Sequence, residues 1–343
     1  MSYLFRKLGE SEAFDPNILH AGIPFTQQAF YGNWQKQLGR SVERYVAEYN
    51  DTVVAYFQVI VYSLIHGKNY LYIPYGPVCT DTSAEFLTRF KVEIERIAQE
   101  HNAVFARLDI TPAVSADALQ PYFRSAPLYT YHSAYFQPRF EWFLDLKQTE
   151  DDIMKAMHEK TRYSVRLADR KGIISEIITN NFETYFEPFY TLMAETAQRN
   201  GFHLHDKAYY QLIFADLPKL TGSYLSVASF EGKILAIDLV IISGGIANYV
   251  FGGSSTEERN RMPTYAAQWK AIVQAKSIGC VSYNFGGVAP VGNMYKGWEG
   301  LTIFKQKFGG YEVKHADFYD VVIQPFWYHM YNLRKLVKKI TGK

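Results

Sequence analysis

Cysteine is almost missing: Cys79 and Cys280 are the only two in 343 residues. They lie far apart and without metal-ligand spacing, which speaks against a disulfide framework and fits packing residues in a reducing, cytoplasmic setting. The N-terminal "MSYLFRKLGESEAFD" has no apolar segment or small-residue cleavage site, so no secretory signal is expected. The longest nearly apolar run, "VVAYFQVIVYSLI", is too short for a bilayer and is interrupted by Gln58. There is no GxSxG elbow, and neither cysteine has a histidine motif beside it, so no nucleophilic triad can be read. An excess of one charge is missing too, with 36 Lys and Arg against 34 Asp and Glu. Near balance, with 48% hydrophobic residues, describes a folded globular chain rather than a disordered one.

Aromatic residues, by contrast, are abundant at 16%, with 27 tyrosines. They suit packed sheets and equally wide grooves for polar, ring-bearing ligands. The length suits two domains, and the sequence repeats itself. Residues 41–78 run through alternating strand residues, an Asn50-Asp51 turn, a β-rich run, Gly67 and a strand ending at Gly76. Residues 223–255 repeat that order with a Glu231-Gly232 turn, an apolar strand, Gly244-Gly245 and a strand ending at Gly252-Gly253. A helix follows each: Phe86, Phe90, Ile94 and Ile97 recur near a 3.6-residue period in the first. The second opens at Pro263 and stops at Gly279. Short strands, 103–110 and 280–287, close the halves.

Hairpin, strand, helix, strand is the order of an α/β fold of N-acetyltransferase (GNAT) type, here a tandem pair. Residues 1–147 are expected as the first domain, rejoined by a strand and helix in 311–343, and residues 148–310 as the second. In this fold a central strand splays from its neighbour to admit an acyl donor. A CoA user carries a glycine-rich loop there, whose N–H groups hold pyrophosphate at a helix N-terminus. Neither "PYGPVCTDTSAEF" nor "GGSSTEERNRMPTYAAQW" contains it, which argues against CoA without excluding it.

Five motifs in order, "YIPYGPV", "EKTRYSVRLADRKG", "YVFGGSSTEERNRMPTYAAQWKAI", "YNFGG" and "GLTIFKQKFGG", resemble the Fem-type (FemABX) aminoacyltransferases over essentially the whole chain. No sustained heptad insert lies between Asp151 and Gly287, so the resemblance is to the short form without a coiled-coil arm. It implies transfer of an amino acid from aminoacyl-tRNA to an amine of a peptidoglycan precursor, with the tRNA as co-substrate and no cofactor. Two departures, Tyr75 where the family usually has a basic residue and Phe251 where a second tyrosine can occur, weaken any transfer of acceptor specificity.

By the same resemblance, Phe304 and Lys305 fall at the active groove, the lysine meeting the tRNA terminus or the oxyanion, with Lys307 in solvent. Lys36 and Arg199 match positions that hold the acceptor's diphosphate. From the residues themselves, Asp109 at a strand end either orients the attacking amine and takes its proton or caps the strand. Tyr249 and Phe251 alternate and so share a face, against an acceptor or against the core. His203 and His205 lack further ligands, and no metal is expected. Arg162, Arg166 and Arg170 form a basic stripe if helical, for a tRNA backbone or for solvent. The C-terminal Leu333, Leu336, Val337 and Ile340 alternate with Arg334, Lys335, Lys338 and Lys339. Such a helix can touch anionic lipid or RNA or dock on its own domain, which leaves peripheral contact with the cytoplasmic membrane surface open. A monomer is expected.

Overall fold

The computed structural model describes residues 3–20, 22–110, 119–126, 137–290, 298–316 and 318–341. The chain begins with β1 (Leu4–Lys7) and α1 (Ala29–Gln37). A two-residue turn then folds β2 (Ser41–Tyr49) onto β3 (Thr52–Ser63). Asn50 and Asp51 have φ of 50° and 59°, the left-handed pair that matches the twist of a tight hairpin. β4 (Asn69–Ile73) and the short β5 (Val78–Cys79) both pair with β3. α2 (Ala84–Glu100) is capped by Ser83, whose hydroxyl accepts the Phe86 N–H, and it buries the predicted Phe86, Phe90, Ile94 and Ile97. It returns the chain to β6 (Ala103–Asp109), parallel to β4 and buried along its length, before the edge strand β7 (Arg124–Ser125).

The next stretch runs through β8 (Phe140–Asp145), α3 (Glu150–Ala156), α4 (Glu159–Arg170), β9 (Ile174–Ile178), α5 (Phe186–Asn200) and α6 (Lys207–Asp216). β10 (Tyr224–Phe230), β11 (Lys233–Ser243), β12 (Ile246–Ser254), α7 (Pro263–Ser277), β13 (Ser282–Gly287), α8 (Glu299–Gln306) and β14 (Tyr311–Lys314) complete it. α7 packs on one face of the sheet, with Ala267 and Ala271 against Ala236, Val240 and Tyr224. α5 packs close on the other. A Cβ at Gly253 would stand 2.6 Å from the α5 backbone at Leu192, so only glycine permits that approach.

The chain then enters β15 (Phe318–Val322) and α9 (Pro325–Thr341). β15 lies antiparallel to β6. There Asp320 receives a two-pronged bond from the buried Arg107 guanidinium, at 2.7 and 2.6 Å, and a third at 2.6 Å from the Tyr328 hydroxyl of α9. A buried ion pair is tolerated only when its bonding capacity is used in this way.

Two compact units result: Met1–Arg139 with Lys314–Lys343, and Phe140–Val313. Their sheets run β1-β2-β3-β4-β6-β15-β7 and β9-β10-β11-β12-β13-β8-β14. Position for position they match, with a parallel pair (β4 with β6, β12 with β13) at the same place. The boundaries differ from the sequence expectation in a specific way. β8, which lies within the 1–147 expected for the first domain, is a strand of the second sheet, antiparallel to β13, and β14 lies beside it. Each sheet thus takes the neighbour of its closing strand from a distant part of the chain.

Candidate active site

In the second unit the parallel pair stays together for three residues only. Ile246, Ala247 and Asn248 pair with Ser282, Tyr283 and Asn284, and the strands then part. The cause is local. The Asn284 side chain accepts the Gly286 N–H at 2.7 Å and donates to Glu141 at 3.1 Å and Asn248 at 3.3 Å. Gly286, at φ 75°, turns the strand, and the register with β8 shifts between Asn284 and Gly287. On the facing strand, Tyr249 stands opposite Val240 and Phe251 opposite Leu239, so Val250 is an extra residue, a β-bulge.

Lys305 sits at this opening. It is 5% exposed, and its Nζ donates to the Gly287 carbonyl at 2.7 Å. A Cβ on Gly286 would lie 3.8 Å from that Nζ and 3.6 Å from the Tyr249 carbonyl oxygen, which places the ammonium beside the turn where β13 leaves β12. Burial pulls its pKa down to about 7, opposed by the nearby Glu141 carboxylate. A lysine poised there can hold negative charge or exchange a proton near neutrality.

The lysine stands on a helix, α8. Gly300 is accommodated in the first turn of α8 because tertiary contacts fix the element: the Thr302 hydroxyl accepts the Ala289 N–H at 3.0 Å. Phe304 packs edge-on against Tyr265 at 5.3 Å and Phe308 at 5.2 Å, so its visible role is to seat the helix. Lys307, expected in solvent, is half-covered just beyond the helix, and its carbonyl accepts the His158 N–H at 2.9 Å.

Tyr249 and Phe251 do not share a face. The bulge breaks the two-residue alternation between them. Phe251 packs on α6, 5.2 Å from Tyr210 and 6.3 Å from Tyr209. Tyr249 turns into the core of the other face, where its buried hydroxyl bonds Asp238 of β11. Burial pushes the Asp238 carboxyl up to about 8, against the lowering effect of the Tyr249 bond. Its Oδ2 has no partner among the described residues. A Cβ at Gly252 would overlap the Tyr249 hydroxyl, so glycine makes room for the pair.

The remaining candidates lie elsewhere. Asp109 closes β6 in the first unit, buried, bonded by the Tyr72 hydroxyl and by the Gln137 N–H at 3.3 Å. Burial raises its pKa to about 7, those bonds working the other way. Lys36, in the last turn of α1, is exposed and ion-paired with Glu10 at 3.3 Å. Arg199, in the last turn of α5, donates to the Ser254 carbonyl and hydroxyl at 3.0 Å each, so its fork already holds the end of β12. Burial and then the Arg259 charge lower its pKa. Lys36 belongs to the first unit and Arg199 to the second.

Among the described residues no group of three or more His, Cys, Asp or Glu side chains could hold a metal ion, and His205 lies on the Tyr209 ring at 4.1 Å. Both cysteines are free and buried. Arg162, Arg166 and Arg170 do fall on one helix, α4, where Arg162 donates to the Lys155 carbonyl at 2.8 Å.

Sequence reading missed Glu141, Asp238, Asn248 and Asn284. A signal existed for two of them: Glu141 and Asp238 interrupt the strands "FEWFLD" and "KILAIDLVIIS", and carboxylates inside apolar strands are rare without a task.

The whole architecture has solved counterparts. A crystal structure of FemX matches with a TM-score of 0.84 at 19% identity, covering 95% of this chain and 99% of that one. A tandem GNAT protein from the clavulanic acid biosynthesis pathway matches with 0.52 at 10% identity, covering 94% and 99%. In sequence, a lipid II:glycine glycyltransferase of Staphylococcus epidermidis is 22% identical over 268 residues, 60% of this chain and 63% of its own length. The match thus spans less than two thirds of that relative. The FemAB family profile covers residues 128–231 and 226–336, which include β8, both strands of the splayed pair and Lys305. The chain belongs to the FemAB family.

Proposed function

We propose that this chain is an aminoacyltransferase that takes an amino acid from aminoacyl-tRNA and adds it to the peptide stem or cross-bridge of a peptidoglycan precursor, lipid II or UDP-MurNAc-pentapeptide. The observation that carries this reading is the buried Lys305 ammonium at the splay of a FemAB-family sheet. An aminoacyl ester is already activated, so the protein need only align an unprotonated amine and stabilise charge on the ester oxygen and the departing ribose hydroxyl. A compact cation in a water-poor opening suits that task. The glycyltransferase activity named for the staphylococcal relatives supports the acceptor class.

The test incubates the protein with a pool of charged tRNAs and either precursor, reading the product by mass spectrometry. The expected product is the precursor heavier by one amino-acid residue, lost when the tRNA is deacylated. Acyl transfer from acetyl-CoA, with none from charged tRNA, would replace this reading by a CoA-dependent one.

A further inference from the structure

We infer that the outer face of α9 is a docking surface for an anionic lipid membrane, which it meets lying flat. The helix is attached to the first unit by tyrosines. Tyr328 is buried, with its hydroxyl on Asp320 at 2.6 Å and its ring 5.3 Å from Phe105. Tyr331 packs 5.0 Å from Phe105 and 6.2 Å from Tyr70. The inward face is therefore aromatic and partly polar.

The apolar row is on the opposite side. Phe326, Met330, Leu333 and Val337 fall at i, i+4, i+7 and i+11, one stripe of a helix, and are 69%, 47%, 55% and 49% exposed. Leu336 extends it and is exposed as well. An amphipathic helix ordinarily turns such a stripe onto its own core. Scattered exposed apolar residues need no explanation, whereas a contiguous row marks a contact surface.

Charge selects the occupant. After Asp320 the sequence has no Asp or Glu and carries Arg334, Lys335, Lys338, Lys339 and Lys343; Arg334, next to Leu333 in the helix, is exposed. A second copy would oppose this charge to itself. Anionic headgroups neutralise it while the stripe enters the boundary of the acyl chains. No helix among the described residues is long and apolar enough to cross a membrane, so contact in the plane of the surface is the geometry available. The inference concerns the first unit alone and does not depend on the transfer reaction.

Co-sedimentation of the full chain with vesicles tests it. Vesicles of phosphatidylglycerol and phosphatidylcholine should carry the protein down, pure phosphatidylcholine should not, and high salt should release it. The L333E/V337E double substitution should reduce the bound fraction at least tenfold with the far-ultraviolet dichroism and melting temperature unchanged. Arg334→Glu, which leaves the apolar row intact, should also weaken binding. No sedimentation with phosphatidylglycerol, or equal sedimentation of all variants, overturns the inference. So does a dimer in lipid-free solution that L333E/V337E dissociates, since the row would then be occupied by a second copy.

Discussion

The Lys305 Nζ hydrogen-bonds the Gly287 carbonyl at 2.7 Å, at the point where β13 has already turned away from β12. The ammonium is thus tethered to the strand that opens the cleft. If negative charge forms there only as the ester is attacked, removing the cation should affect turnover more than substrate binding. Lys305→Ala is expected to lower kcat by about 10²–10³, the usual effect of losing one well-placed charge stabiliser. Lys305→Arg should rescue poorly, because a planar fork is larger than the ammonium it replaces. Lys307→Ala should be nearly silent. Steady-state kinetics of the three variants decides; normal rates in all of them would remove Lys305 from the mechanism.

The pH dependence follows from the same group. Burial holds the Lys305 pKa at about 7, so the unliganded protein loses the cation as pH rises through that value. A role as cation predicts that kcat/KM falls on the alkaline side of about pH 7, and that Lys305→Ala lacks this limb. A limb that rises through 7 and disappears in the variant would make Lys305 a proton acceptor instead.

Asp238 yields a stability prediction. Its folded pKa of about 8 lies above the ordinary carboxyl value, so between about pH 4 and 8 the folded chain binds more protons than the unfolded one. Stability from this group is full at acid pH and falls as pH rises, by at most about 1.4 kcal/mol per pH unit for one proton. Asp238→Asn should remove that slope, as read by urea unfolding at pH 5, 6, 7 and 8. Parallel curves for the two proteins would show that Asp238 is ionised in the folded state.

Lys36 and Arg199 separate by readout. If each makes a charged bond to an anionic acceptor headgroup, alanine at either site should raise the KM for precursor by the equivalent of about 1.5–3 kcal/mol. Arg199→Ala should in addition lower the melting temperature, because its guanidinium bonds Ser254 at the end of β12. Lys36→Ala should leave melting unchanged, its partner Glu10 being an exposed surface residue. Unchanged KM in both variants would leave Arg199 a purely structural residue.

Much of the scaffold was legible because its causes are local. Asn50-Asp51 and Glu231-Gly232 adopt left-handed φ and join hairpins, as tight two-residue turns require. The period of Phe86, Phe90, Ile94 and Ile97 is the buried face of α2, and matched hairpin, strand, helix and strand units recur in both sheets. Lys305 could be singled out from its motif.

The rest depended on partners distant in the chain. β8 is an ordinary strand by sequence, and only pairing with β13 assigns it to its sheet. Alternation put Tyr249 beside Phe251 until a bulge separated them, and bulges arise from cross-strand pairing that a two-residue period does not encode. The opening that receives Lys305 is made by Asn284 reaching both Glu141 and Asn248, residues from three separate strands. Sequence by itself determined the paired hairpins, the strands and helices that follow them and the two similar units they build, because backbone preferences and hydrophobic period act over a few residues. Tertiary structure alone decided which lysine is buried and where the strands part, because desolvation and hydrogen bonding act between whatever groups the fold brings together.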